Sequence, residues 1–324
     1  MDVVNSPFTI HNYPPVNTAS KEWHLWRVTP MNESHANTSR SITEDTVEMS
    51  TDEKYLFDLL GFVVVRDVLS KEHLSIANAA IDAQALTRSP EYFHDSNALK
   101  GENSSTRLSA NKNLMELSSP SCDPFREMLA HPKTIPHLNT ILGEGWRLDH
   151  GPGLIAMDKG CSGGLLHGNF DNAPYFYREG KIFTGLCVIE YLLADEGPGD
   201  GGVCVVPGSH KANLTCPNKM LKWEQYQEYV TEIHAKAGDA IIFTEACTHG
   251  TLPWTADHQR RAVLYKYNTG HMSWGGGGLH GPLPAYWDEL TAPQQAALLL
   301  PTHHSRRPKP SNGYKGLAEI KDSV

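Results

Sequence analysis

Apolar positions along this chain change their period from helical to alternating as it is read from the N-terminus. The segment TDEKYLFDLLG, from Thr51, spaces its apolar residues for a helix after a Thr or Asp start. FVVVRDVL then reads as a short β-branched strand, and SKEHLSIANAAIDAQAL as a second helix opened by Ser70. The polar stretch from Tyr92 to Asn113 reads as a loop, and Arg107 is its most chemically promising residue. A helical pair is expected over Asp123–Ala130 and Pro132–Leu142, the latter closed by Gly143. From Trp146 onward the signals turn to β: short segments near 147–157, 182–193, 202–206, 230–235, 240–243 and 261–267, separated by Gly, Pro or Asp turns. This spacing predicts a mainly β (α+β) fold, a double-sheet jelly roll with flanking helices, rather than a βαβ sheet.

The flanks differ from this middle. Residues 1–48 are rich in Asn, Thr, Ser and Pro without a sustained period and read as an N-terminal extension, with Trp23 and Trp26 favouring a segment draped over the domain. Residues 49–300 form the expected domain, and 301–324, with HHSRRPKPSNGYKG, a basic C-terminal tail. A formal charge of −9 and a pI near 6.0 leave no basic stripe for nucleic acid, so a small-molecule substrate is the expected partner. Apolar runs such as FVVV and AIIF are too short to span a membrane, and the first residues lack a charged start followed by an apolar segment. The expectation is a cytoplasmic protein, monomeric or dimeric, with no membrane partner. The six cysteines show no C-x-x-C spacing and read as thiols filling the core.

Seventeen histidines are many, and placement must select among them. His249 follows the buried strand AIIF and the break TEACT, and on an extended segment it faces the same way as Thr251. His167 lies 82 residues upstream in LLHGNFDN, and RRAVLYKY returns after the loop that follows His249. Two distant histidines and an arginine one hairpin past the second suit a non-haem iron site that works with a bound 2-oxo acid. The arginine's planar fork would grip a carboxylate, with Thr251 completing the contact.

The entry YLFDLLGFVVVRDVLS, the turn GGVCVVPGSHKAN, the strand GDAIIFTEACTHGTLPWT and the return RRAVLYKY together resemble the phytanoyl-CoA dioxygenase-like family of Fe(II)/2-oxoglutarate oxygenases, over about residues 50–275. The resemblance implies a cupin-like double-stranded β-helix, with Fe(II), 2-oxoglutarate and O₂ as cofactor and co-substrates. It further implies that His167 and His249 hold iron and that Arg260, favoured over Arg261 by the family spacing, holds the distal carboxylate beside Thr251. The implied reactions are hydroxylation, desaturation or oxidative ring closure. An acyl-CoA would need a basic groove for its phosphates, which this acidic chain does not offer, so the expected substrate is a small polar, carboxylate-bearing metabolite, with an amino-acid-derived acid as the leading candidate. Red-algal kainoid synthases are similar in kind and size.

One feature departs from the family pattern. The usual His-x-Asp or His-x-Glu pair reads here His167-Gly168-Asn169, so the carboxylate of a two-histidine, one-carboxylate site must come from elsewhere. Glu245, four residues before His249, is one source, and the sub-branch with LHG pairs it with FTEA-x-THG. Asp171, through a bulge, and Asn169 itself are the others. A halogenase with chloride at the vacant position is a further reading, although such members carry Gly or Ala where Asn169 stands. A catalytically silent β-helix binding protein and a zinc hydrolase complete the alternatives. Arg107, Tyr177, Trp254 and Lys266 are candidate substrate contacts, Tyr175, Phe176 and Trp274 possible pocket walls, and His210 in PGSHK a turn residue.

Overall fold

The computed structural model describes residues 48–88, 107–110, 112–168, 174–274 and 283–301. Nearly all of the expected N-terminal extension and C-terminal tail fall outside these residues. The first helix, α1 (Thr51–Leu60), begins on a capping box in which Ser50 accepts from the Glu53 amide and the Glu53 carboxylate accepts from that of Ser50. It ends at Gly61, whose left-handed conformation returns an N–H to the Phe57 carbonyl. β1 (Phe62–Val65) follows, then α2 (Lys71–Asp82), capped by Ser70 as expected. The helix stops short of Leu86, because β2 (Leu86–Arg88) pairs with β3 (Leu108–Ala110) at a sheet edge. Both short strands exist through a partner distant in sequence, which local periodicity does not register.

Helices α3 (Asp123–Leu129) and α4 (Ile135–Leu142) precede the long strand β4 (Arg147–Met157). The single strand expected at 182–193 is broken in two. β5 (Tyr175–Arg178) and β6 (Lys181–Thr184) form a hairpin, and β7 (Cys187–Leu192) enters the main sheet. β8 (Gly202–Val205), the short helix α5 (Asn218–Leu221), β9 (Thr231–Glu232), β10 (Ala240–Thr244), β11 (His249–Leu252), β12 (Arg260–Asn268) and α6 (Ala292–Ala297) complete the described elements.

The large antiparallel sheet runs β1-β10-β7-β12-β4-β3-β2 and faces a smaller one, β11-β8-β9. This is the mainly β, double-sheet architecture with flanking helices that the sequence predicts. Alternation along each strand decides which face a side chain joins. On β7, Ile189 and Tyr191 pack toward the helices with Phe57, Phe125, Met128, Leu138 and Ile141. Val188 and Leu192 instead meet Val203, Val205 and Ile233 of the small sheet, so Glu190 between them shares that inter-sheet face. On β12 the same rule sends Val263, Tyr265 and Tyr267 toward the helices and Ala262 inward, with Arg260 and Lys266.

Three tyrosines tie the helical layer to the large sheet. Tyr191 Oη donates to the Met128 carbonyl at 2.7 Å, Tyr265 Oη to that of Phe125 at 2.5 Å, and Tyr267 Oη to that of Leu129 at 2.9 Å. The carbonyls of Met128 and Leu129, at the end of α3, have no partner within the helix, and the sheet supplies one; that of Phe125 takes its tyrosine from further up the same helix. Among the described residues no helix is long and apolar enough to cross a membrane. Replacing Tyr191 by Phe removes the shorter of two hydroxyl donors to the Met128 carbonyl, the other being Tyr267 at 3.4 Å, and is expected to cost ~0.5–1.5 kcal/mol of stability. Urea unfolding would register this as a lower midpoint with an unchanged slope.

Candidate metal centre

Two segments far apart in sequence are joined at the mouth between the sheets. The amide of His167 donates to the carbonyl of His249 at 2.8 Å, and the amide of His249 donates back at 2.8 Å. The two imidazoles lie with ring centroids 4.1 Å apart. Gly168 shows why this approach is possible. Its φ is +118°, and a Cβ there would sit 2.4 Å from the Cys247 carbonyl oxygen, so a side chain would push the His167 segment off the turn before β11.

Between β10 and β11 the chain makes a tight turn. The Cys247 amide donates to the Thr244 carbonyl, and the Glu245 amide to that of Leu186. This turn places Glu245 at the two histidines. Its Oε2 is 3.8 Å from His249 Nε2, and potential ligand atoms of His167, Glu245 and His249 all lie within 4.8 Å of one another. Of the three proposed sources of a carboxylate or amide oxygen, Glu245 is therefore beside the histidines, whereas Asn169 and Asp171 fall outside the described residues.

Protonation states suit a cation. His249 Nδ1 is 2.7 Å from the Cys247 carbonyl and His167 Nδ1 is 3.3 Å from that of Leu165, which places the proton on Nδ1 and the lone pair on Nε2 of each ring. Burial lowers the pKa of both histidines, that of His167 to about 3 with the neighbouring His249 adding to the effect. Burial alone would raise the Glu245 carboxyl, but His249 and Lys266 beside it reverse this and bring it to about 2. Two neutral imidazoles and an ionised carboxylate fit a divalent transition metal of the two-histidine, one-carboxylate kind.

The set opens onto a cavity of about 610 Å³. Its walls include Leu154, Ile155, Phe243 and Leu264, together with four basic side chains, Arg107, Lys112, Arg260 and Lys266, and two acidic ones, Glu190 and Glu245. In a chain of net charge −9, the cavity is thus locally basic. Lys266 Nζ is 2.5 Å from Glu245 Oε1, so this residue braces the carboxylate whose other oxygen faces His249. Thr251 lies on the cavity wall two residues beyond His249, as alternation requires.

Arg260 is 1 % exposed and lines the same cavity, whereas Arg261 points to α2 and pairs with Asp82 and Asn78. The residue that the family spacing favours is thus the one on the cavity side, and the packed core supplies the face assignment that alternation along the sequence alone left open. Arg260 is held by two buried carboxylates, Glu196 on Nε at 2.7 Å and Glu190 on Nη2 at 2.5 Å. Gly202 permits this, since a Cβ there would lie 2.2 Å from Glu196 Oε2. Glu190 was legible as an acid in the middle of the apolar strand CVIEYL, yet sequence reasoning passed over it.

The other expected contacts divide. Arg107 joins the cavity wall. Neither Tyr177 nor Trp254 does: Tyr177 is 63 % exposed on the β5–β6 hairpin, and Trp254 is buried with Ile155, Met157 and Cys161, its indole N–H donating to the His258 carbonyl. Their aromatic bulk serves a surface hairpin and a small core instead. Phe176 stacks on Phe183 at the same exposed hairpin, and Trp274 likewise stands off the cavity. Tyr175 packs on His210, which is buried in its turn with Nε2 bonded to the Asp58 carbonyl.

A family model described as phytanoyl-CoA dioxygenase (PhyH) matches residues 57–262. Among solved structures, HygX from Streptomyces hygroscopicus with nickel, 2-oxoglutarate and hygromycin B bound superposes with a TM-score of 0.57 at 19 % identity, covering 69 % of this chain and 89 % of that one. The non-haem α-ketoglutarate-dependent carbocyclase SnoK of nogalamycin biosynthesis gives 0.50 at 14 % identity, covering 81 % and 96 %. No match is found among curated proteins. Removing the Glu245 carboxylate should weaken binding of Co(II) or Ni(II) by roughly 100-fold or more. Isothermal titration of Glu245→Ala checks this, and unchanged affinity would return the third ligand to Asn169 or Asp171.

Proposed function

The chain belongs to the phytanoyl-CoA dioxygenase family, and from that premise we propose that it uses Fe(II) and 2-oxoglutarate to oxidise an unactivated C–H bond of a small, carboxylate-bearing metabolite. The observation that carries this reading is one cavity that brings together the His167, Glu245 and His249 set with Arg260 and Thr251. Iron held there would supply O₂ activation coupled to oxidative decarboxylation of 2-oxoglutarate to succinate. The protein's own residues do the positioning. His167 and His249 present Nε2, and Glu245 presents the oxygen that Lys266 does not occupy. Arg260 and Thr251 receive the distal carboxylate of the co-substrate, fixing its orientation relative to the metal.

The substrate class follows from the remaining wall. Four basic side chains, Arg107, Lys112, Arg260 and Lys266, share the cavity wall with two acidic ones, Glu190 and Glu245, an excess of positive charge that favours an anionic group on the substrate. The volume suits a small metabolite such as an amino-acid-derived acid. Leu154, Ile155, Phe243 and Leu264 exclude water around the reacting carbon. Hydroxylation, desaturation and ring closure share this first C–H cleavage and diverge according to where the substrate holds its next bond. A carboxylate at the metal set disfavours the halogenase reading, since Glu245 would repel a chloride placed beside it.

Anaerobic addition of Fe(II) and 2-oxoglutarate should produce the weak visible band of the chelate, and admission of air should release succinate. A protein that gives neither is not this enzyme. Replacing Arg260 by Met should raise the KM for 2-oxoglutarate by roughly 100-fold or more, the expected loss for a buried charge-assisted contact. The Fe(II) affinity measured without co-substrate should change far less.

A further inference from the structure

The guanidinium that faces the cavity is already occupied. Arg260 donates through Nε to Glu196 and through Nη2 to Glu190, while Nη1 faces the sulfur of Met157 at 3.5 Å. The two acids differ in position. Glu196 is 1 % exposed and does not reach the cavity wall, so it backs the arginine, whereas Glu190 forms part of the wall itself. Of the five guanidinium N–H groups, the Nε–H and one of the two on Nη2 are given to carboxylates, so an incoming carboxylate must either take the face that Glu190 holds or use the Nη1 edge that lies against Met157. Adding a third carboxylate to one buried guanidinium would bring three negative charges together, against the positive charges of Arg260 and Arg107 alone.

We propose that Glu190 is an internal stand-in for the co-substrate: its carboxylate holds the place on Arg260 that the distal carboxylate of 2-oxoglutarate takes, and the dicarboxylate binds when Glu190 accepts a proton and releases that contact. This rests on the oxygenase reading. Charged groups around Glu190 are Arg260 from β12, Glu196 from the turn after β7, and Arg107 ahead of β3. Its register partners on the neighbouring strands, Ile241 and Leu264, are apolar. Burial holds the Glu190 carboxyl above the usual carboxylate range, to about 7, with Arg260 opposing and Glu196 adding to the rise. A proton is therefore within reach near neutral pH. The neutral acid retains a donor and an acceptor and stays as a polar wall of the site. The co-substrate's carboxylate replaces the lost negative charge, so the cluster's charge is conserved and one proton is taken from the buffer per molecule bound.

The test uses the full chain loaded first with Co(II), so that protons displaced by the metal do not enter the count. Calorimetric titration with 2-oxoglutarate in buffers of different ionisation enthalpy should show an uptake approaching one proton at pH 8 and little at pH 6. Affinity should weaken above about pH 7 by up to tenfold per pH unit. For Glu190→Gln, uptake should vanish, and binding at pH 8 should be about tenfold tighter than wild type and flat with pH, because the competing carboxylate is gone. Wild-type binding without proton uptake at pH 8, or a Glu190→Gln variant that binds more weakly than wild type there, overturns this proposal and leaves the oxygenase reading intact. Failure of 2-oxoglutarate to bind either protein at any pH overturns both.

Discussion

Two backbone hydrogen bonds between His167 and His249 are the constraint on which the site depends. They connect a segment after β4 to the first residue of β11, across 82 residues of chain, and each histidine contributes both a donor and an acceptor. A side chain held only by its own rotamers would wander on a loop. Here the peptide units are paired as in a sheet, so the rings inherit the rigidity of the strand. Gly168 is the concession that makes the pairing possible, since its missing side chain admits the Cys247 carbonyl.

Charge is arranged around that frame in two neutralised groups. At the metal set, Glu245 is balanced by Lys266, and further along the cavity wall Arg260 and Arg107 are balanced by Glu190 and Glu196. Buried charges of one sign would be expensive without such partners. Each partner also limits what the charge it serves can do: Lys266 leaves one Glu245 oxygen toward the histidines, and the two acids leave only part of the Arg260 fork uncommitted.

Much of this was legible from residue pattern. The helix–strand–helix entry, the helical pair and the β-rich second half follow from local spacing, and His167, Glu245, His249, Thr251, Arg260, Lys266 and Arg107 meet at one cavity as their positions implied. What escaped was non-local. β2 exists by pairing with β3, which itself pairs with β4, and the 182–193 run divides because its first half belongs to a hairpin and its second to the main sheet. Tyr177 and Trp254 misled because an aromatic beside a strand carries no mark of which side it faces until the neighbours are known. Glu190 and Glu196 were passed over for the opposite reason: their meaning lies in the arginine they meet, 70 and 64 residues further along the chain.

The turn between β10 and β11 has a consequence for how such a protein can diversify. Glu245 and His249 sit on one short structural unit, four residues apart, fixed by the strands on either side. Where the acid is carried beside the first histidine, a single loop must serve both the cation and the substrate. Under the proposed assignment of Glu245 as the acid of the set, position 169 carries no such duty, and the sequence beyond His167 can change in length and chemistry without dismantling that set. The division gives an engineer, or natural selection, a separable handle: one turn to conserve for reactivity and one loop to vary for selectivity.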